Sequence, residues 1–279
     1  MKPTAVMVFL VAGIAIASQG MAGRTPETAP IPQRSSPADK AAAAAAAAEQ
    51  RETDETLART YLATKRYTES AALFEKLSKS NPHNPSYANY AGIAHMQNGD
   101  LRLARNWFQR AVKIEPRFAD AYNNLGATWY TEKNFKRALQ YYKRAVTLQP
   151  GVASYHTNVG YAYFSLKMPV EAEEAFKRAL LMDPLVFQQN GRTGSVLQDR
   201  SVTDQGLFAF TMAKSYAEAN DPDHCAAYLR RSLDEGYKDI SKVYTDPAFA
   251  PMLSEGSMQP VLALIPQPNT VSSAGSGAQ

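Results

Sequence analysis

Pro82, Pro116, Pro150 and Pro184 fall 34 residues apart, and that interval constrains the fold more than any other feature of the chain. Other positions keep the same period. With units counted from Arg51, Pro85, Ala119 and Ala153, position 8 reads Ala58, Gly92, Gly126, Gly160. Position 20 reads Ser70, Ala104, Ala138, Ala172, and position 24 reads Phe74, Phe108, Tyr142, Phe176. A fixed period of this length marks a stacked array of small units rather than one closed core. Such an array offers a surface for holding another molecule and no deep pocket for chemistry.

Within the third unit, Tyr122, Leu125, Gly126 and Trp129 are spaced as one stripe of an α-helix. Ala138, Tyr142 and Ala145 give the stripe of a second helix, with polar Glu132, Lys133 and Asn134 in the turn between. Small residues at positions 8 and 20 let the paired helices approach closely. Proline at position 32 ends the second helix, because it lacks a donor and clashes with the preceding turn. The pattern therefore predicts an all-α chain in which each unit is a helical hairpin packed on its neighbours.

Residues 121–130, Ala-Tyr-Asn-Asn-Leu-Gly-Ala-Thr-Trp-Tyr, followed by Ala138, Tyr142, Ala145 and Pro150, resemble the tetratricopeptide repeat. The resemblance implies a right-handed α-solenoid and covers four units, 51–84, 85–118, 119–152 and 153–186. The first unit departs at Ser70 and Leu77, as an N-terminal cap would. A degenerate fifth hairpin fits 206–239, with Met212, Ala213, Tyr216, Cys225 and Leu229 at the packing positions and Tyr237 where proline is expected. An irregular insert, 187–205, separates it from the fourth unit. A short helical segment, 240–266, and a disordered tail, 267–279, follow. The insert, the fifth hairpin and the segment from Gly236 to Leu253 also resemble the C-terminal part of a group of bacterial tetratricopeptide proteins.

The first 22 residues read as a secretory signal. Lys2 supplies charge, residues 5–18 are largely apolar, and Gly20 and Ala22 provide small residues before a cleavage point. The apolar run is shorter than the roughly 20 residues of a spanning helix. The expectation is an exported, periplasmic or secreted protein beginning near Gly23, with no transmembrane span after cleavage. Residues 23–50, with Pro26, Pro30, Pro32 and Pro37 before eight alanines, read as a linker whose alanines can extend the first helix.

Cys225, the only cysteine, occupies the small position 20 of the fifth hairpin and is expected to be buried. Charge is divided along the chain. Residues 51–184 hold 19 Lys and Arg against 13 Asp and Glu, whereas 185–279 hold 7 against 10. Much of the excess lies on the second helices of units two and three, at Arg102, Arg105, Arg110, Lys113, Lys136, Arg137, Lys143 and Arg144. This is the face for an anionic envelope surface, if it is more than a solvated one. Nothing in the chain carries a nucleic-acid-binding motif.

His83, His95, His156 and His224 lack the spacing of a metal site, and no phosphate loop, nucleophile elbow or dinucleotide fingerprint is present. The chain is read as a non-enzyme without metal or cofactor. The functional expectation comes from the resemblance, which implies that first helices line a concave groove. The groove residues would be Asn89, Ile93, Met96 and Gln97 from unit two, then Asp120, Asn123, Asn124, Ala127, Tyr130 and Thr131 from unit three. Unit four would add Thr157, Asn158, Tyr161, Phe164 and Ser165. Asparagines suit an extended peptide backbone, and Tyr, Phe and Met offer apolar contact. The expected ligand is a peptide or helical segment of a protein partner, bound by a scaffold of the bacterial envelope. The alternative is a cell-wall glycan stacked on Tyr130, Tyr161 and Phe164. The groove positions of units two to four carry no Lys or Arg, which argues against clamping a C-terminal carboxylate.

Overall fold

Five helical hairpins follow one another in the computed structural model, which describes residues 36–188 and 204–267. The expected signal, the linker before residue 36, most of the insert and nearly all of the tail lie outside the described residues. Two units are distinguished, residues 1–47 and 48–279. In the first, residues 36–47 open a helix. Ser36 and Asp39 cap it reciprocally, each accepting from the other's backbone N–H at 3.1 and 2.9 Å.

That helix, α1 (Pro37–Ala63), runs on into the first hairpin, so the expected linker is helical from Pro37. Alanine is the strongest helix former, and a run of eight needs no docking surface to be written into a helix. The hairpins proper pair α1 with α2 (Tyr67–Ser80), α3 (Pro85–Gln97) with α4 (Leu101–Ile114), α5 (Ala119–Thr131) with α6 (Phe135–Leu148), and α7 (Ala153–Ser165) with α8 (Pro169–Met182). The fifth pairs α9 (Gln205–Glu218) with α10 (Pro222–Asp234). Helix starts therefore repeat every 34 residues through the middle three hairpins, as the prolines predict.

The turn inside each hairpin is the same device. Lys65, Gly99, Lys133, Lys167 and Asn220 all stand at position 15 with φ between 59° and 89°. A left-handed residue there lets the next N–H reach back to the helix: Asn134 N–H bonds Trp129 O at 2.9 Å, and Asp221 N–H bonds Tyr216 O at 3.0 Å. The fifth hairpin shares this turn although its sequence is degenerate.

Position 24 fills the space that position 8 leaves. A Cβ built on Gly92 or Gly126 would lie 2.5 Å from the ring of Phe108 or Tyr142, and Gly160 meets Phe176 in the same way. All five residues at position 20, Ser70, Ala104, Ala138, Ala172 and Cys225, are fully buried. In the first hairpin, Ser70 donates to Ala58 O at 2.9 Å, which satisfies the hydroxyl that the alanines lack. The expected C-terminal segment is three short helical pieces, 3-10 turns at Ile240–Tyr244 and Pro247–Met252 and a single α-turn, α11 (Gln259–Leu262). Val243, Phe249, Met252 and Met258 are buried in one cluster with Phe208, Met212 and Tyr216. Together they close the last hairpin, whose packing face would otherwise be bare.

Candidate functional site

Successive first helices touch, α3 against α5 and α5 against α7, while the second helices α4, α6 and α8 stand further apart. The first helices therefore form the inner face of the stack. That face is tied together by side chains 35 residues apart. Asn124 Nδ2 donates to Asn89 Oδ1 at 2.9 Å, and Asn158 Nδ2 donates to Asn123 Oδ1 at 2.8 Å. On the α5–α7 seam, Tyr155 donates to Asp120 Oδ1 at 2.5 Å, and Tyr130 Oη and Ser165 Oγ share a hydrogen bond of 2.7 Å. Residues 120, 123 and 130 recur at helical spacing, so one stripe of α5 meets one stripe of α7. Burial, with help from the Asp120 hydrogen bond, pushes the Tyr155 hydroxyl well above the usual phenol range, so it stays a donor.

This arrangement buries seven of the fifteen residues expected in the groove. Asn89, Asn123 and Asn158 are 6%, 5% and 0% exposed, with their amides turned into the seams between hairpins. Tyr130 packs against Phe135, with ring centroids 5.1 Å apart. Tyr161 stacks on Phe208 at 5.7 Å and meets the edge of Phe176, and Phe164 meets Phe208 edge-on at 5.3 Å. Tyr130, Tyr161 and Phe164 are all buried, so none serves as an exposed stacking platform for a sugar. Phe208, at position 3 of the fifth hairpin, is the residue that the sequence pattern does not single out. Its register follows from the hairpin, but nothing local announces that it covers α7.

What remains open is shorter. Ile93, Met96, Asn124 and Ala127 are half-buried, and Gln97, Asp120 and Thr131 are exposed. They form a mixed apolar and polar strip over α3 and α5.

The outer face is different in chemistry. Arg105 and Arg137 both lie over the indole of Trp129, at 4.5 and 4.6 Å from the ring centre. Lys143 lies over Tyr163 at 5.1 Å and Arg144 over Tyr122 at 5.7 Å. Arg105 also pairs with Glu132 at 2.6 Å. The basic excess is thus arranged on aromatic rings of the first helices, where cation–π attraction holds it.

Three of the four histidines are occupied locally. His95 meets Glu75 at 2.8 Å, His156 meets Pro150 O at 2.8 Å, and His224 meets Asp221 at 2.7 Å. Among the described residues no group of three or more His, Cys, Asp or Glu is placed to hold a metal. Burial pushes the Cys225 thiol up to about 12. No helix among the described residues is long and apolar enough to cross a membrane.

A family profile described as the tetratricopeptide repeat matches residues 55–117, 91–153 and 134–186. No curated protein matches the chain significantly. Among solved structures, PilF of Pseudomonas aeruginosa is similar at 18% identity and a TM-score of 0.50, over 78% of this chain and 98% of that one. TTC0263, a tetratricopeptide protein of Thermus thermophilus, is similar at 20% identity and a TM-score of 0.47, over 70% and 97%. At these identities the likeness concerns the fold alone.

Proposed function

Because the chain belongs to the tetratricopeptide repeat family, we propose that it is a non-catalytic scaffold that holds a protein segment on the inner face of its second and third hairpins. Tetratricopeptide arrays serve as protein-interaction scaffolds, and that coarser function follows from the repeats themselves. The observation that carries the finer reading is the strip made by Ile93, Met96, Asn124 and Ala127 with exposed Gln97, Asp120 and Thr131. Apolar side chains alternate there with hydrogen-bonding ones, as an extended or helical segment requires. Over the fourth hairpin the same face is closed by Phe208, which limits the segment to what α3 and α5 span.

The place of action we propose is the bacterial envelope, reached through the leader read in residues 1–22. The basic residues of α4 and α6 support a further attraction to anionic envelope surfaces, which ionic strength would weaken. The test is capture from envelope extract with the mature chain as bait, beside a folded Met96→Glu, Thr131→Glu variant. Proteins lost from the variant alone are the expected result. Identical captures by the two baits would remove the inner face from consideration. N-terminal sequencing from the native cell examines the leader. A start near Gly23 supports export, and intact Met1 in the membrane fraction overturns it.

A further inference from the structure

Each second helix has an outer crest, positions 18, 22, 26 and 29 of its hairpin, on the side away from packing positions 20, 24 and 27. In α4 the crest is Arg102, Asn106, Arg110 and Lys113, and in α6 it is Lys136, Gln140, Arg144 and Thr147. All are exposed except half-buried Arg110, and neither helix contains an acidic residue.

What holds these cations leaves them charged. On α2 and α8 every cation faces a carboxylate: Lys76 meets Asp54 at 2.7 Å, Lys79 meets Glu75 at 3.9 Å, Lys177 meets Glu218 at 3.4 Å and Arg178 meets Glu174 at 2.9 Å. On α4 and α6 only Arg105 has an ion pair among the described residues. Arg110, Arg137, Lys143 and Arg144 lie on aromatic rings, which fix a cation without neutralising it.

The crest changes character on α8, where it reads Val170, Glu174, Arg178 and Leu181. Its two charges pair with each other. Its ends, Val170 and Leu181, are 73% and 64% exposed, the most exposed large apolar residues among those described. Leu185, 53% exposed, follows one turn beyond. Glu171 beside Val170 is exposed and has no ion pair among the described residues, so α8 adds apolar surface and no net positive charge. Residues 101–182 nevertheless hold 13 Lys and Arg against 6 Asp and Glu, so the acidic side chains of α8 do not cancel the basic crests beside it.

Unneutralised cations next to exposed aliphatic side chains are the two components of contact with an anionic bilayer, one for the headgroups and one for the acyl boundary. We propose that the crests of α4, α6 and α8 are a lipid-docking face by which the array lies against an anionic bilayer. Arg102, Lys113 and Lys136 meet the headgroup phosphates, and Val170 and Leu181 dip below them. An acidic protein would engage the cations and leave the exposed aliphatics without a role. The proposal rests on the envelope reading for where such a bilayer is met. Vesicle binding is measured apart from export, so either can fail alone.

The mature chain, which keeps every described residue, is sedimented with phosphatidylcholine vesicles made with and without phosphatidylglycerol. The parent should bind the anionic vesicles and leave the neutral ones. Arg102→Glu, Lys113→Glu and Lys136→Glu together change only exposed side chains, and should weaken binding by at least about tenfold. Val170→Ser with Leu181→Ser should weaken it by a similar factor, about tenfold, through lost apolar contact. Leu181→Trp adds a reporter, whose emission should shift to the blue on anionic vesicles and be quenched by brominated lipid beyond the parent's own signal. Failure of the parent to bind anionic vesicles overturns the proposal. It is equally overturned if the double serine variant binds as the parent does, or if brominated lipid leaves the new tryptophan unquenched. Either result would make the contact one of charge alone, as for an acidic macromolecule.

Discussion

Asn158 donates its side-chain amide to Asn123 at 2.8 Å, and both residues are buried between the third and fourth hairpins. A residue type that reads as a ligand contact is therefore a tie between repeats. Asn123→Ala removes the acceptor and strands the Asn158 amide away from water. That should cost roughly 1–3 kcal/mol of stability, the penalty of an unsatisfied buried group. Urea unfolding of the two single variants and the double variant measures it. A double-mutant coupling near zero would show that the tie contributes nothing.

Gly126 admits the ring of Tyr142, with a built Cβ only 2.5 Å from it. Gly126→Ala should therefore destabilise the array by roughly 1–3 kcal/mol through overpacking, and Gly126→Leu by more. Tyr142→Leu in the same chain should recover part of the loss, because the smaller side chain frees the space. A melting temperature unmoved by Gly126→Leu would mean that the helices do not approach here.

The helices were legible because each packing position recurs: one glycine is ambiguous, but Gly92, Gly126 and Gly160 against Phe108, Tyr142 and Phe176 are not. Even the weak fifth hairpin keeps its turn at Asn220 and its small residue at Cys225. The inner face was less legible for a physical reason. Whether Asn123 points to a ligand or a neighbour depends on the 35-residue offset between helices, which a 34-residue count does not reveal. Tyr161 and Phe164 read as open because their cover, Phe208, lies beyond the insert and belongs to no strict repeat.

Lys133 holds φ at 59° in the turn before α6, a region that glycine enters without strain. Gly99 already stands at the equivalent position of the second hairpin. Lys133→Gly should therefore be neutral or stabilising, by up to about 1 kcal/mol, as relieved strain offsets the freer unfolded chain. Lys133→Val should destabilise by more than about 1 kcal/mol on the same scale, since a β-branched residue tolerates positive φ least. Thermal melts of the pair rank the two, and the reverse order would contradict the turn geometry.

Lys214 bridges Glu173 on α8 at 3.2 Å and Asp246 beside the 3-10 turn at 2.9 Å. Burial lowers its proton affinity, yet the Asp246 hydrogen bond and the Glu173 charge more than reverse that, holding its pKa above the usual lysine value. The node fastens the closing segment to the fourth and fifth hairpins. Lys214→Ala leaves two half-buried carboxylates facing one another and should loosen that segment first. Amide exchange should quicken at Val243 and Phe249 while the Tyr142 region keeps its protection. Uniformly faster exchange through all five hairpins would instead mean that the closing segment unfolds only with the whole array.

Cys225 is fully buried, and its thiol is pushed up to about 12 from an ordinary value of 9.0. The folded chain therefore keeps a proton on this sulfur at about pH 10 that the unfolded chain has largely released. Fewer protons on the unfolded state mean that stability falls as pH rises, beginning near pH 9. At about pH 10 the deficit from this one group is on the order of 1 kcal/mol, and it is absent near pH 7. Tyr155 and Tyr216, raised mainly by burial, act in the same direction at higher pH. Urea titrations at about pH 7 and pH 10 on the parent and Cys225→Ala isolate the thiol, because the tyrosines and lysines are common to both. The parent should lose on the order of 1 kcal/mol more than the variant over that interval. Equal losses would place the sulfur in contact with water, and rapid labelling of the native chain by a disulfide reagent would say the same.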